Sequence, residues 1–189
     1  MNETAAPVDE PVASTPGRRW LKTIVISLLL MVVVVGVLWI VGGQTVHYRA
    51  HVRILASPEK IFPYLTEPDL LMQWMEGVVE IKPLTDEGHQ AGAKAVAVME
   101  RNGDRFEMES EVLKTVPNKE LKVRLQNKMF DLVNDYQLKS NGGETDVSID
   151  MEAKFLGWAR ITAPLIGGAI ESKLEADFNQ LREKVESKR

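Results

Sequence analysis

No cysteine occurs anywhere in the 189-residue chain. Disulfides, thiolate metal sites and cysteine nucleophiles are excluded, and the redox compartment cannot be read from the sequence. Histidine is scarce: His47, His51 and His89 are the only three. A metal pair at i, i+4 requires a helix; on a strand, His47 and His51 would stand about 13 Å apart. His89 sits in a turn with Asp86 and Glu87, short of a ligand set, so neither a metal nor a cofactor is expected. Glycines come in isolated pairs without phosphate-loop spacing. No GxSxG-type nucleophile motif occurs, so no catalytic residue is assigned. Basic excess is missing too: the net charge is −4, with no basic stripe to meet phosphates. Nucleic acid is not an expected partner.

What the chain does have is one long run without ionisable side chains, Thr23 to Val46. Its centre, Ile24 to Val41, is nearly all Ile, Val, Leu and Met. About 20 apolar residues at ~1.5 Å each span a hydrocarbon core of roughly 30 Å. Trp20 and Trp39 lie near its two ends, where amphipathic rings favour the interface. The run is too long for a cleavable signal, and Val41-Gly42-Gly43-Gln44 is a poor cleavage match. A transmembrane helix is therefore expected over 20–43. Residues 1–19 read as a disordered tail, being rich in Ala, Pro, Thr and acidic side chains without apolar periodicity. Arg18, Arg19 and Lys22 before the run outweigh later basic residues, which lie in a folded domain. The expectation is a single-pass protein of the cell membrane, N-terminus cytoplasmic and domain outside.

Residues 44–189 have the size of one domain, needing no staple to bury a core. Gly42-Gly43-Gln44 reads as a short flexible joint. Val46, Tyr48, Ala50, Val52 and Ile54 then alternate with His47, Arg49, His51 and Arg53, the period of a half-buried strand. Ser57-Pro58 starts a short helix, with Ser57 as N-cap and Pro58 at the first position. Pro63 should cut it short, and a second short helix carries Leu70, Leu71 and Trp74. An antiparallel meander follows: Val78–Leu84, Lys94–Arg101, Arg105–Val116, Leu121–Asn127, Asp131–Ser140 and Thr145–Phe155. Asn102-Gly103-Asp104 is its clearest hairpin signal. The outer face of Glu107, Glu109 and Glu111 is expected beside that of Lys122, Arg124 and Gln126. Last comes an amphipathic helix marked by Ile161, Leu165, Ile170, Leu174, Phe178, Leu181 and Val185, its regular part expected from Pro164. The fold class is α+β: a curved antiparallel sheet of about seven strands around one long C-terminal helix, with a cavity between them.

Ile54-Leu55-Ala56-Ser57-Pro58-Glu59-Lys60-Ile61-Phe62, then Leu65-Thr66-Glu67-Pro68 and Trp74, resemble the opening of START-like (SRPBCC) proteins, which include polyketide-cyclase-like and plant-allergen-like members. Leu174 to Leu181 is similar to the terminal covering helix of that superfamily. The resemblance spans roughly Val46 to Glu186. It implies a helix-grip fold with an internal cavity for lipids, sterols, polyketides or other apolar molecules. An anchored small version is similar to bacterial members known only by fold.

Within such a cavity, Ser110, Asn134 and Tyr136 are polar groups on otherwise apolar strand faces. A buried polar group needs a partner. Either they orient the polar end of an apolar ligand or they hydrogen-bond locally in a filled core. In the first case Phe106, Met108, Leu132, Met151 and Phe155 would surround its body. Leu165 and Ile170 would close the cavity from the helix, and Trp74 and Trp158 would stand at its mouth. The leading expectation is a membrane-tethered binder or carrier of a hydrophobic small molecule or lipid. A cyclase-like enzyme using Tyr136 and Asn134 is the alternative, and an interaction module the third reading; the sequence names no protein partner. Protease added to sealed cells or spheroplasts is expected to degrade the domain. Protection from outside would reverse the orientation.

Overall fold

Alternation of apolar and polar residues becomes a seven-stranded sheet in the computed structural model, which describes residues 17–86, 88–101 and 103–187. The expected disordered tail before residue 17, Glu87 of the His89 turn and Asn102 of the hairpin signal lie outside the described residues. In chain order the elements are α1 (Gly17–Val41), β1 (Thr45–Ile54), α2 (Pro58–Thr66), α3 (Pro68–Leu71), β2 (Val78–Pro83), β3 (Lys94–Arg101), β4 (Asp104–Val116), β5 (Glu120–Gln126), β6 (Phe130–Asn141), β7 (Glu144–Phe155) and α4 (Ala159–Glu186). The chain divides after Val37 into two compact units. The first is most of α1, which begins at Gly17, ahead of the expected Trp20. Its Trp20–Val41 stretch is long and apolar enough to cross a membrane.

In the second unit the strands pair antiparallel in the order β1-β7-β6-β5-β4-β3-β2. Consecutive strands are neighbours from β2 to β7, and β1 closes the far edge from Thr45↔Lys154 to Ile54↔Thr145. Tyr48, Ala50, Val52 and Ile54 of β1 join Val147, Ile149, Ala153 and Phe155 of β7 in the core. Val46, expected on the same face, is exposed. The cover reaches β1 only from Tyr48, whose ring lies beside Gly167 of α4. That helix packs on β1, β7 and α2 through Leu174, Phe178, Leu181 and Val185.

Proline placement departs from expectation twice. α2 runs through Pro63 to Thr66, held on both sides by buried Ile61, Phe62, Tyr64 and Leu65. The ring removes only the bond to the Glu59 carbonyl, in an exposed first turn where water can replace it. Ser57 does occupy the N-cap position, but its side chain makes no capping bond; it holds the Glu59 carboxylate instead, pulling that acid below its usual range. α4 begins at Ala159, not at Pro164. Pro164 leaves the Arg160 carbonyl without its helical partner. Gly42 closes over that carbonyl so tightly that a Cβ would overlap its oxygen. The expected flexible joint is thus a point of close approach. Gly42 is buried and its N–H donates to the Leu38 carbonyl at 2.8 Å. Beside it the Arg160 guanidinium lies 5.5 Å from the centroid of the Trp39 ring.

The outer charges also pair differently from expectation. Arg124 stands across from Glu111 in the β4–β5 ladder, yet its guanidinium forks onto Asp131 of β6 at 2.6 and 2.8 Å. Lys122 reaches Asp135 of β6 at 3.4 Å. A bulge between Val112 and Lys114 shifts the register and sets Lys114 opposite Lys122, so Lys114 turns to Glu120. One buried tie joins β7 to the turn ahead of α2: the Thr145 hydroxyl, wholly buried, donates to the Ala56 carbonyl at 2.6 Å. Thr145→Val keeps the shape and strands that carbonyl, so it is expected to cost about 1–2 kcal/mol, read as a lower urea midpoint at unchanged slope; Thr145→Ser should recover most of it.

Candidate functional site

Small side chains on the sheet decide where the hollow lies. On β3 the inward positions are Ala95 and Ala97, preceded by Ala93, and they face Ser110 and Met108 of β4. The α2–α3 segment lies over this half of the sheet and does not reach down to such short side chains. A cavity of about 330 Å³ remains, near the lower end of the roughly 300–1,000 Å³ usual for small-molecule sites. Its walls come from β2–β6, from Leu65, Leu71, Trp74 and Met75, and from the β2–β3 loop with His89. No residue of α4 lines it, although space between sheet and α4 was expected. Of the lining residues, Glu67, Pro68, Pro83, Gly88, His89 and Lys94 are exposed and form the rim.

At the inner end three aromatic rings fix the wall. Phe178 of α4 stacks on Tyr136 at 6.4 Å between centroids and meets Trp74 edge-on at 6.2 Å. The Trp74 indole N–H donates to the Tyr64 carbonyl at 2.8 Å. Beside Tyr136, Asn134 is almost fully buried and its Oδ1 has no hydrogen-bond partner. The Asn134 side chain also hydrogen-bonds the Tyr136 phenol. Burial pushes the Tyr136 phenol far above its usual range, the Asn134 bond pulls it back in part, and the Asp177 charge pushes it further. The phenol therefore stays protonated, a state that can make hydrogen bonds and is poorly suited to act as a base. The Ser110 hydroxyl donates to the Ala95 carbonyl at 3.2 Å.

Of the residues expected to surround a ligand, Trp74, Met108, Ser110, Asn134 and Tyr136 stand together in this wall. The others do not line the cavity. Phe106 lies further along β4, opposite Met99. Leu132, Met151 and Ile170 pack against the core cluster, which includes Phe155. Leu165 is 73% exposed. Leu132, Met151, Phe155 and Ile170 keep company with the apolar core, but in the half that α4 fills. Trp74 is a buried wall residue and not a mouth residue; Trp158 stands in an open outer groove with Met129, Phe130 and Leu156. His47 and His51 are exposed on the outer face, and the Asp150 carboxylate, held low by His47 and Arg49, pairs with both. No group of three His, Cys, Asp or Glu among the described residues is placed to hold a metal.

Two residues escaped sequence reasoning. His89 reads as a surface turn, yet its ring meets Phe62 edge-on at 6.4 Å and Thr115 donates to its carbonyl at 2.6 Å. Asp177 lies in a charged stretch of α4 and is 5% exposed. Its carboxylate accepts from Lys173 at 3.1 Å and from the Glu76 amide at 3.4 Å, tying the segment after Trp74 to the helix. The spacing Phe178 minus one, beside the apolar stripe, was the available signal.

Residues 45–186 match the family model described as polyketide cyclase / dehydrase and lipid transport. Among solved structures, a START superfamily protein from Mycobacterium smegmatis aligns with TM-score 0.64 at 17% identity, covering 76% of this chain and 99% of that one. A Thermus thermophilus protein aligns with TM-score 0.63 at 15% identity, over 75% of this chain and 98% of its own. A protein from the dynemicin biosynthetic locus gives TM-score 0.58 and 16% identity, over 76% of this chain and 48% of its own. At these identities the likeness shows the fold: a START-like helix grip. No curated protein sequence matches the chain.

Burial raises the Asp177 carboxyl above its usual range, against the pull of Lys173 and the Glu76 amide. The folded state then binds that proton more readily than the unfolded chain does. As pH falls from neutral through the raised folded value toward the ordinary aspartate range, Asp177 should add stability. Asp177→Asn removes that increment, so wild type should gain on the variant as pH falls over this window in urea titrations. A constant difference would show that the carboxyl is not raised.

Proposed function

Because the chain belongs to the polyketide cyclase / dehydrase and lipid transport family, we propose that it is a single-pass membrane protein whose START-like domain binds a small apolar molecule or a single lipid chain. The observation that carries this reading is the apolar-walled cavity of about 330 Å³ with the unpaired Asn134 Oδ1 in its wall. An acceptor left unpaired in a dry site costs about 1–3 kcal/mol, which a ligand hydroxyl or N–H would recover. The favoured ligand is therefore apolar with one hydrogen-bond donor, presented to Asn134 beside Tyr136. The cavity volume suits one chain or a compact ring system and is too small for a two-chain phospholipid. Supporting the membrane part, Trp20–Val41 has the length and composition to cross a bilayer. The early basic cluster Arg18, Arg19 and Lys22 supports a cytoplasmic N-terminus and a domain outside.

A cyclase-like reaction would require a general acid or base in the cavity, with Tyr136 beside Asn134 as its candidate. Tyr136 with its elevated phenol is a poor one, and the binding reading is preferred for that reason. The test uses the full chain in detergent, with native mass spectrometry for retained ligand and N-phenylnaphthylamine fluorescence for the cavity. Ala97→Phe fills the hollow and should abolish dye binding. Asn134→Leu should weaken a long-chain alcohol by about tenfold, the equivalent of roughly 1.4 kcal/mol, and leave its methyl ether unchanged. Equal affinities in both variants and wild type would refute cavity binding.

A further inference from the structure

The long helix changes character halfway along. From Trp158 to Ile170 its only charged residue is Arg160. From Glu171 onward charges crowd in: Glu171, Lys173, Glu175, Asp177, Arg182, Glu183, Lys184 and Glu186. At ~3.6 residues per turn, Trp158, Ile161, Leu165 and Ala169 share one face, and the same face continues as Ser172, Ala176, Asn179 and Glu183. The opposite face, from Ala159 and Ala163 to Leu174, Phe178 and Leu181, is the one buried in the domain. The apolar first half of the outer face is therefore largely uncovered: Trp158 is 64% and Leu165 73% exposed, Ala169 is exposed and Ile161 half-buried; beside it Ile166 is 39% exposed. Its second half is polar, as a water-facing helix should be.

This uncovered stretch starts where α4 meets the end of α1. Arg160 carries both contacts, its carbonyl against Gly42 and its guanidinium over Trp39. A Trp at the end of a membrane-crossing helix favours the headgroup level, and that sets Arg160 at the same level. The following turns then begin at the bilayer surface with no charge to hold them in water. Over 13 residues they measure about 20 Å, enough to lie along an interface with the apolar side sunk ~5–10 Å.

We propose that the first half of α4 is an interfacial segment, with Trp158, Leu165 and Ala169 in the headgroup region of the bilayer that α1 crosses. The inference rests on the reading of α1 as a membrane span. It assigns the occupant of the face as lipid, since the tethered segment meets the adjacent bilayer at a high effective concentration. The domain is then held to the membrane at two places, through α1 and through this face.

The absence of cysteine lets single cysteines be introduced into the full chain without background. Val41→Cys reports the end of α1, Leu165→Cys and Ala169→Cys the exposed face. Lys139→Cys pairs with Asp146, roughly 25 Å along the strands from the joint. Each is labelled with nitrobenzoxadiazole and reconstituted in phosphatidylcholine–phosphatidylglycerol vesicles carrying shallow nitroxide-chain lipids. Labels at 165 and 169 should lose fluorescence to a degree comparable with 41, while 139 keeps its signal. If 41 is quenched and 165 and 169 behave like 139, α1 is in the bilayer and the interfacial assignment fails. Spontaneous disulfide crosslinking between Leu165→Cys copies without lipid quenching would assign the face to a second copy and overturn it too. A chain that does not float with vesicles, unquenched at 41, overturns the membrane span itself and this inference with it.

Discussion

Phe178 is the contact on which the arrangement of the domain depends. It stands on α4, stacks on Tyr136 of β6, and receives the edge of Trp74 from the segment after α3. Sheet, long helix and the α2–α3 cover meet at this one ring. Its neighbours reinforce each link: Trp74 is bonded to the Tyr64 carbonyl of α2, and Asp177 bonds the Glu76 amide. Aromatic pairs in such offset or edge-on geometries add about 0.5–1.5 kcal/mol beyond their buried area. More important here is position. The ring fills the sheet on one side of Tyr136 and stops there, so the space on the other side stays open.

That boundary explains which parts of the site could be read from sequence. Period-two alternation gave each strand's inward face with little error, because one residue of slip would turn every apolar side chain to water. Parity says which face of the sheet a residue joins, but not which part of that face is filled. Met108, Asn134 and Leu132 share the inward face, yet only the first two reach the cavity. The discriminating signal was volume. Ala93, Ala95 and Ala97 with Ser110 mark the one stretch where inward side chains are short on adjacent strands. The prolines misled for a related reason. Local propensity puts a helix end at Pro63 and a start at Pro164, but each ring removes a single bond. At Pro63 buried neighbours outweigh the loss, and at Pro164 Gly42 closes on the carbonyl that is left.

Surface charge shows the same limit from the other direction. The acidic face of β4 and the basic face of β5 are adjacent, as alternation requires, yet Arg124 and Lys122 bond across to Asp131 and Asp135 on β6. A strand inside a sheet has two neighbours, and sequence order suggests only the hairpin one. Asp131 offers Arg124 a fork with two parallel bonds, which a single glutamate contact does not match. The bulge in β4 settles the competition by carrying Lys114 to a like-charged position. These pairs are only half-buried and worth little singly; they report register more than they create stability.

The glycines after α1 bear on what kind of binder this is. On the proposed reading, glycines free to rotate at 42 and 43 would give a binder that samples its ligand over a wide arc. Gly42 is instead buried on the Arg160 carbonyl, and Trp39 lies under the Arg160 side chain, so the last turn of α1 is part of the domain's own packing. For the membrane-anchored binder proposed above, a carrier that ferries cargo through water would need release from the membrane, and a docked joint would oppose that; on that reading the arrangement suits a stationary receptor better. The rim then matters more than the reach. Glu67, His89 and Lys94 stand at the opening, so a ligand of the proposed kind would meet a polar rim before the apolar wall. A molecule with a polar head and one slim apolar body satisfies both filters, the same description that the unpaired Asn134 oxygen reaches from inside.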